Sequence, residues 1–265
     1  MKERMKLILD AFHGHNSPDM ASRVFGFDAG IAYDALVIAP SYSPYHLQME
    51  RFFKVTTLRE GAYHCGYYLE NADLKLAWIK SAASAGNLID HLASCAAFSF
   101  KKLIFIGAVG ALKAEFRLGD ICTPSYSLSG SQADAFLIRD SIRETALFEK
   151  VEPDKAFTDA VIALGKARGH DIRRAGVFCT PSIALEYLHL DEIRASGADL
   201  IEMETASFYL MAELLEIPAI ALLVVSDNSA SGVPLVGRTE QQQEYFNERK
   251  LTVFPDMIMA VAGMR

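Results

Sequence analysis

The sequence predicts a three-layer α/β protein, in which a central mixed, largely parallel sheet lies between helices in a single domain spanning residues 1–265. Short runs of consecutive apolar residues are typical of strands covered on both faces. Segments with helical spacing of apolar residues separate these runs, as expected for an α/β fold. No Pro/Gly/Ser tract, charge block or internal repeat interrupts the chain, so no second domain is predicted.

The apolar runs are predicted to form strands at residues 34–39, 75–79, 102–106, 120–123, 176–180 and 219–225. Helices are predicted at residues 84–98, 154–168, 204–216 and 238–265. The third helix ends just before Pro218, and Pro255 predicts a kink in the fourth. Small ligands bind at the carboxyl ends of the strands in such sheets, so functional motifs are expected there.

The composition excludes several classes of protein. Apolar residues make up 51% and charged residues 22% of the chain, which excludes a disordered protein. The most apolar stretch, residues 217–225, is far shorter than the roughly 18 residues of a membrane span. A formal charge of −7 argues against a surface that coats nucleic acid. The cysteines lie far apart and suggest neither disulfides nor a zinc site: Cys65, Cys95, Cys122 and Cys179. We therefore expect a cytoplasmic protein with no metal, no cofactor and no nucleic-acid or membrane partner.

Gly107 and Gly110 follow the third predicted strand in the run LIFIGAVGAL, residues 103–112. The run lacks both the GxGxxG pattern of dinucleotide-binding proteins and the lysine of a P-loop, which argues against an oxidoreductase of that type. Two interpretations remain. The glycines form a tight turn, or their bare backbone lets an anionic or sugar group approach closely.

Glu202 and Glu204 flank Met203 in the run ADLIEMETA, where a short strand gives way to a helix. In an extended segment both carboxylates point the same way. A carboxylate there can accept two hydrogen bonds from a diol such as the 2′ and 3′ hydroxyls of ribose. The alternative interpretation is that acidic residues favour a helix N-terminus.

Ser226 and Asp227 end the strongly apolar run ALLVVSD and precede a polar loop. An aspartate beside apolar walls acquires a raised pKa and can act as a general acid. The alternative is an aspartate that starts a turn or caps a helix.

Together these motifs resemble those of the nucleoside phosphorylase-I family, which includes hexameric purine nucleoside phosphorylases, uridine phosphorylases and methylthioadenosine-type nucleosidases. FIGAVGA (residues 105–111) is similar to the glycine turn of the family, and LGDI (118–121) to its GD strand start. IEMETA (201–206) is similar to its EMEA/T signature, and Ser226-Asp227 to its catalytic SD pair. Order and spacing agree from about residue 34 onward.

The resemblance implies a role for each matching residue. Met203 and Glu204 would contact the ribose, with Glu204 holding its hydroxyls, and Asp227 would protonate the purine ring nitrogen as the glycosidic bond breaks. Arg238 would assist this acid, because the arginine that does so in some members falls near Gln242, one turn later.

The base would stack against the segment that contains Phe178, Ile183, Ala184 and Tyr187, with Phe178 and Tyr187 as the aromatic candidates.

The chain departs from the family at the phosphate site. Phe105 and Ala108 occupy the positions where phosphorylases of this family carry an arginine and a hydroxyl residue, and His46 stands where another arginine is expected. Arg59 matches the arginine that a neighbouring subunit lends to the phosphate site. Arginine is the side chain suited to bidentate phosphate binding. The expected phosphate ligands are therefore Arg59, His46 and the backbone of Gly107 and Ala108.

The resemblance implies phosphorolysis of a purine nucleoside, with phosphate as co-substrate, in a homo-oligomer whose active sites are shared between subunits. Two alternatives stay open. Water replaces phosphate, as the changed phosphate residues suggest, or the chain binds nucleosides without catalysis.

Overall fold

The computed structural model describes residues 1–17, 19–61 and 64–265. The helices are α1 (Glu3–His13), α2 (Met20–Phe25), α3 (Ala85–Cys95), α4 (Gln132–Ile138), α5 (Lys155–Ala167), α6 (Ile183–Glu186), α7 (Leu190–Ala195), α8 (Thr205–Leu215) and α9 (Glu240–Ala262). The strands are β1 (Ala35–Ile38), β2 (Lys54–Arg59), β3 (Cys65–Glu70), β4 (Lys75–Lys80), β5 (Leu103–Ala111), β6 (Ile121–Ser129), β7 (Lys150–Val151), β8 (Ile172–Cys179), β9 (Leu200–Glu202) and β10 (Ala219–Asn228). Within the described ranges, no helix is both long enough and apolar enough to cross a membrane.

The strands form one mixed sheet, as the sequence predicts. β5 pairs in parallel with β1 and β10 and antiparallel with β9. From β10 the pairing continues through β6 and β8 to β9, so these strands close into a ring with β5. On the other side of β5, the order β1-β4-β3-β2 leads to an antiparallel edge. The sheet is thus open at one end and rolled up at the other.

Helices cover both faces of the sheet, which confirms the three-layer arrangement. Leu36 and Ile38 of β1 belong to a core that includes α3 and α8, whereas Val37 belongs to a core that includes α5 and α9. Because successive side chains of a strand point to opposite faces, one short apolar strand supplies both cores. This explains why the predicted strands are apolar at consecutive positions.

Every predicted strand and helix is present, but some bounds differ. β5 runs to Ala111, so Gly107 and Gly110 lie within a strand, and the tight-turn interpretation of these glycines is wrong. β6 extends to Ser129. α9 continues through Pro255 to Ala262. The elements that the sequence did not predict are the strands β2, β3 and β7 and the helices α1, α2, α4, α6 and α7.

Candidate active site

A cavity of about 210 Å³ lies at the carboxyl ends of β5, β8, β9 and β10. It brings together the three motifs that the sequence singled out. Its lining consists of Pro40, Ser41, Ala83, Phe105, Gly107, Ala108, Gly110, Thr180, Ile183, Glu186, Ile201, Glu202, Met203, Glu204, Ser226, Asp227 and Leu235. The walls are largely apolar, and several carboxyl groups converge on the cavity, as in small-molecule sites.

Glu204 is the residue just before α8 and is only 4% exposed. Its Oε1 atom has no hydrogen-bond partner among the described residues. Burial, followed by the charge of Glu202, raises the pKa of Glu204 well above its ordinary value. Buried polar atoms are almost always paired, so an oxygen left free at a cavity wall is suited to a ligand hydroxyl.

Glu202 has a different task, although it also lines the cavity. Its carboxylate accepts hydrogen bonds from the backbone N–H groups of Glu204 (2.7 Å) and Thr205 (3.0 Å), and from the Thr205 hydroxyl (2.8 Å). The Cys179 thiol donates a further bond at 2.9 Å. Glu202 therefore satisfies the free N–H groups at the start of α8. The two interpretations of the acidic pair are divided between its members: Glu202 stabilises the helix terminus, and Glu204 faces the cavity.

Asp227 lies at an irregularity in β10. The register of β10 against β5 shifts between Val225 and Asp227, a bulge that changes the direction in which the strand presents its side chains. The Ser226 hydroxyl donates to Asp227 Oδ1 at 2.6 Å. Burial raises the pKa of Asp227, while the Ser226 hydrogen bond and the charge of Arg238 act in the opposite direction. A carboxyl that retains its proton more readily is suited to general-acid work.

Gly110 makes room for that carboxyl. A Cβ at this position would lie 2.9 Å from Asp227 Oδ2 and 3.1 Å from Ile201 Cγ2. At Gly107, a Cβ would lie 2.8 Å from Cε1 of the Phe105 ring. Both glycines thus leave room for protein side chains within a strand. The approach of an anionic or sugar group to their backbone, the second interpretation of this motif, stays a prediction.

Arg238 precedes α9 and is not part of it. It contacts the backbone of β10. Its Nη1 donates to the Ser226 carbonyl at 2.5 Å, and its guanidinium carbon lies 4.6 Å from the centre of the Phe246 ring. Gln242, by contrast, forms a capping box with Thr239 at the start of α9. Arg238 is outside the cavity lining, so it acts on Asp227 through charge and through the backbone of Ser226.

Glu186 is the titratable residue of the cavity lining that the sequence did not reveal. It ends α6, a short helix capped by the Ser182 hydroxyl, and it is 9% exposed. Burial, with a contribution from the charge of Asp227, raises the pKa of Glu186 to about 7. A lone glutamate in a short helical segment carries no motif, so only the fold shows that it shares a cavity with Asp227.

The structure does not bring the aromatic base-stacking candidates into this cavity. Phe178 lies against Phe148, with ring centres 5.5 Å apart, and lines an adjoining cavity that shares Thr180 and Glu186 with the first. Tyr187 is half exposed and lines a separate surface depression. In the same segment Ile183 lines the cavity itself, as does Met203.

Only some of the expected phosphate ligands line the cavity. Gly107 and Ala108 line the cavity, whereas Arg59 is exposed on the edge strand β2. His46 caps a 3₁₀ turn by accepting the Ser43 N–H at 3.0 Å on Nδ1. Burial and the charges of Lys80 and Lys250 lower the pKa of His46, which favours its neutral form. Among the residues that the structure describes, no arginine, lysine or histidine lines the cavity.

Comparison with known proteins shows the family of the chain. A model of the phosphorylase superfamily matches residues 81–252, more than half of the chain. The DeoD-type purine nucleoside phosphorylase of Haemophilus ducreyi is 29% identical over 157 residues, which are 57% of this chain and 60% of that protein. The match thus spans about three fifths of the relative.

Two solved structures share the fold. The 5′-methylthioadenosine/S-adenosyl homocysteine nucleosidase of Campylobacter jejuni superimposes with a TM-score of 0.68 at 15% identity, covering 87% of this chain and 99% of that one. The uridine phosphorylase of Vibrio fischeri gives a TM-score of 0.70 at 12% identity, covering 89% of this chain and 93% of that one.

Proposed function

Because this chain belongs to the phosphorylase superfamily, we propose that it cleaves the N-glycosidic bond of a purine nucleoside with phosphate as acceptor, giving the free base and ribose 1-phosphate. The observation that carries the proposal is that Glu204 and Asp227 line the same cavity. Cleavage of this bond needs an anchored sugar and a proton for the departing base, and the two carboxyl groups are suited to these tasks.

Glu204 holds the sugar in this proposal. Its unpartnered Oε1 accepts from one ribose hydroxyl, and the second oxygen of the carboxyl accepts from the other. The neighbouring Met203 supplies an apolar contact. A fixed sugar places its anomeric carbon for attack and lowers the entropic part of the barrier.

Asp227 supplies the proton. As the bond to the base breaks, positive charge grows on the sugar and negative charge on the base. Proton donation from Asp227 to the imidazole part of the purine neutralises the leaving group. The pair of electrons in the broken bond stays with the base, and phosphate oxygen forms the new bond to the sugar. The reaction requires no organic cofactor or metal ion in this scheme.

Phosphate would lie near Gly107 and Ala108, which line the cavity, with Ala108 exposed. Arg59 lies exposed on the edge of the sheet, from which it can reach the site of a neighbouring subunit in a homo-oligomer. The purine nucleoside phosphorylases among the relatives support phosphate as the acceptor.

Hydrolysis is the second candidate function. It is favoured by the lining of the cavity, which contains no cationic side chain among the described residues and has Phe105 and Ala108 at two positions expected to bind phosphate. Water needs no guanidinium group, whereas phosphate binds most strongly to arginine.

Incubation of inosine, adenosine, uridine and methylthioadenosine with and without phosphate tests these alternatives. Phosphorolysis releases base only with phosphate and forms ribose 1-phosphate, while phosphate-independent release identifies hydrolysis. Asp227→Asn should lower turnover by about 10²–10⁴-fold, and Asp256→Asn, remote from the cavity, serves as control. Nucleoside binding without turnover by the wild type would overturn the proposed catalysis and leave a binding module.

A further inference from the structure

Glu186 carries a carboxyl that the proposed chemistry does not use. Its side chain lines the cavity and is buried, yet it makes no hydrogen bond or ion pair with the other described residues. The residue is 9% exposed, and a carboxyl with no protein partner at a cavity wall is free to accept hydrogen bonds from a ligand. This places an acceptor group at a defined point of the site.

The position of that acceptor follows from its relation to Asp227. The two carboxyl groups line one cavity. Burial raises the pKa of Glu186, and the charge of Asp227 raises it further. Burial raises the pKa of Tyr187, the next residue in the chain, and the charges of Glu186 and Asp227 raise it further. His189 and Glu192 line the adjoining cavity with Glu186, and they also pair with each other at 3.6 Å. Glu186 and Asp227 thus line one cavity and interact through their charges.

We propose that Glu186 selects purines with an amino group at C6 by accepting a hydrogen bond from that group, an inference that rests on the proposed function. In a purine, the imidazole nitrogen that takes the proton, N7, shares an edge of the base with the C6 substituent. When Asp227 donates to N7, an acceptor next to Asp227, such as the Glu186 carboxylate, can bind the C6 substituent. A 6-amino group offers an N–H donor there, whereas a 6-oxo group offers only an acceptor.

The charge state of Glu186 makes the selection depend on pH. Burial and Asp227 raise the pKa of Glu186 to about 7. Above this pH the ionised carboxylate only accepts hydrogen bonds and favours the 6-amino group. Below it the protonated carboxyl can also donate to a 6-oxo group, so the preference weakens.

The test is the ratio of kcat/KM for adenosine over inosine, measured from pH 6 to pH 8. A ratio cancels the contribution of Asp227 to the absolute rate. We expect wild type to prefer adenosine by about tenfold or more at pH 8, the size of one hydrogen bond to a charged group, and to lose most of this preference at pH 6. In Glu186→Gln the amide can accept or donate, so the ratio should fall towards one at every pH.

Glu192→Gln is the matched control, because it removes a nearby exposed carboxyl and should leave the ratio and its pH dependence unchanged. A wild-type preference for inosine at pH 8, or an unchanged ratio in Glu186→Gln, would overturn the inference while leaving glycosidic cleavage intact. The pH dependence of the wild type tests the idea even if Glu186→Gln does not fold.

Calorimetric binding of adenine and hypoxanthine separates this inference from the proposed function. Adenine-selective binding that is lost in Glu186→Gln would support the role of Glu186 even if no nucleoside were turned over, in which case only the proposed function fails. Equal binding of the two bases by the wild type at pH 8 would overturn the role of Glu186.

Discussion

Gly110 and Asp227 are register partners across β5 and β10, and the space for the Asp227 carboxyl exists because Gly110 has no side chain. A Cβ at Gly110 would lie 2.9 Å from Asp227 Oδ2, closer than carbon and oxygen atoms normally pack. The bulge before Asp227 and the glycine opposite it therefore act together. One sets the direction of the carboxyl, and the other leaves it room.

Gly110→Ala should displace this carboxyl and lower kcat/KM by about tenfold or more, since small misplacements of reacting groups are costly. Overpacking should also destabilise the fold by about 1–3 kcal/mol. Steady-state kinetics and thermal unfolding measure the two effects. Gly86→Ala is the control, because its nearest contact would be Ser84 Oγ at 3.8 Å. Full activity in Gly110→Ala would show that Asp227 tolerates displacement and is not the acid.

Consecutive apolar positions were enough to predict the buried centre of the fold. β1, β4, β5 and β10 are covered by helices on both faces, and burial of this kind leaves a clear signal. The outer strand β2 has mostly exposed side chains, and its pairing with β3 depends on neighbours far away in the sheet. Its sequence therefore lacked the signal used for the central strands.

The sequence predicted the site residues that belong to a motif at the end of a strand. It did not predict the residues that reach the site from a loop or a short helix. Glu204 and Asp227 follow recognisable strands, so their meeting in one cavity could be anticipated. The separate task of Glu202 depends on hydrogen bonds to Thr205 and Cys179, which the sequence does not specify. Glu186 reaches the cavity only because the segment after β8 folds back towards β10.

Glu202→Gln should lower the stability of the fold, whereas Glu204→Gln should not. The Glu202 carboxylate accepts at least four hydrogen bonds, so an amide there would direct N–H groups at donors and destabilise the fold by about 1–3 kcal/mol. Glu204→Gln removes a carboxyl with an unpartnered oxygen and should leave stability nearly unchanged. Urea unfolding of the two variants measures this difference.

Activity, in contrast to stability, should depend on Glu204. Glu204→Gln should lower kcat/KM for ribonucleosides by about 10–100-fold through weaker hydroxyl contacts, and should have less effect on substrates that lack the 2′ hydroxyl. If Glu204→Gln kept full activity towards ribonucleosides, the sugar would be held elsewhere.

Glu186 should make stability fall as pH rises. Its pKa is raised from 4.5 to about 7, so the folded chain binds more protons than the unfolded chain between these values. Stability is then lost as pH rises through this window. Glu186→Gln should therefore gain stability over wild type with increasing pH, reaching about 1–3 kcal/mol near pH 8. Denaturant unfolding at pH 5 and pH 8 measures the difference, and a pH-independent difference would contradict it.

Arg59 offers a test of shared active sites. It is exposed on β2 and is not part of the cavity lining of its own chain, so in the proposed oligomer it serves a neighbour. Arg59→Ala should raise the KM for phosphate by about tenfold or more, as expected for the loss of a charged contact. Arg51→Ala, also exposed, is the control and should leave the KM unchanged.

Mixed oligomers make this prediction specific. At phosphate concentrations well below the KM of Arg59→Ala, a mixture of Arg59→Ala and Asp227→Asn subunits, unfolded and refolded together, should be more active than the average of the two variants. The recovered sites combine Asp227 of one subunit with Arg59 of another. A single-chain mass on a sizing column, or mixtures no more active than the average of the two variants, would show instead that each chain works with its own residues alone.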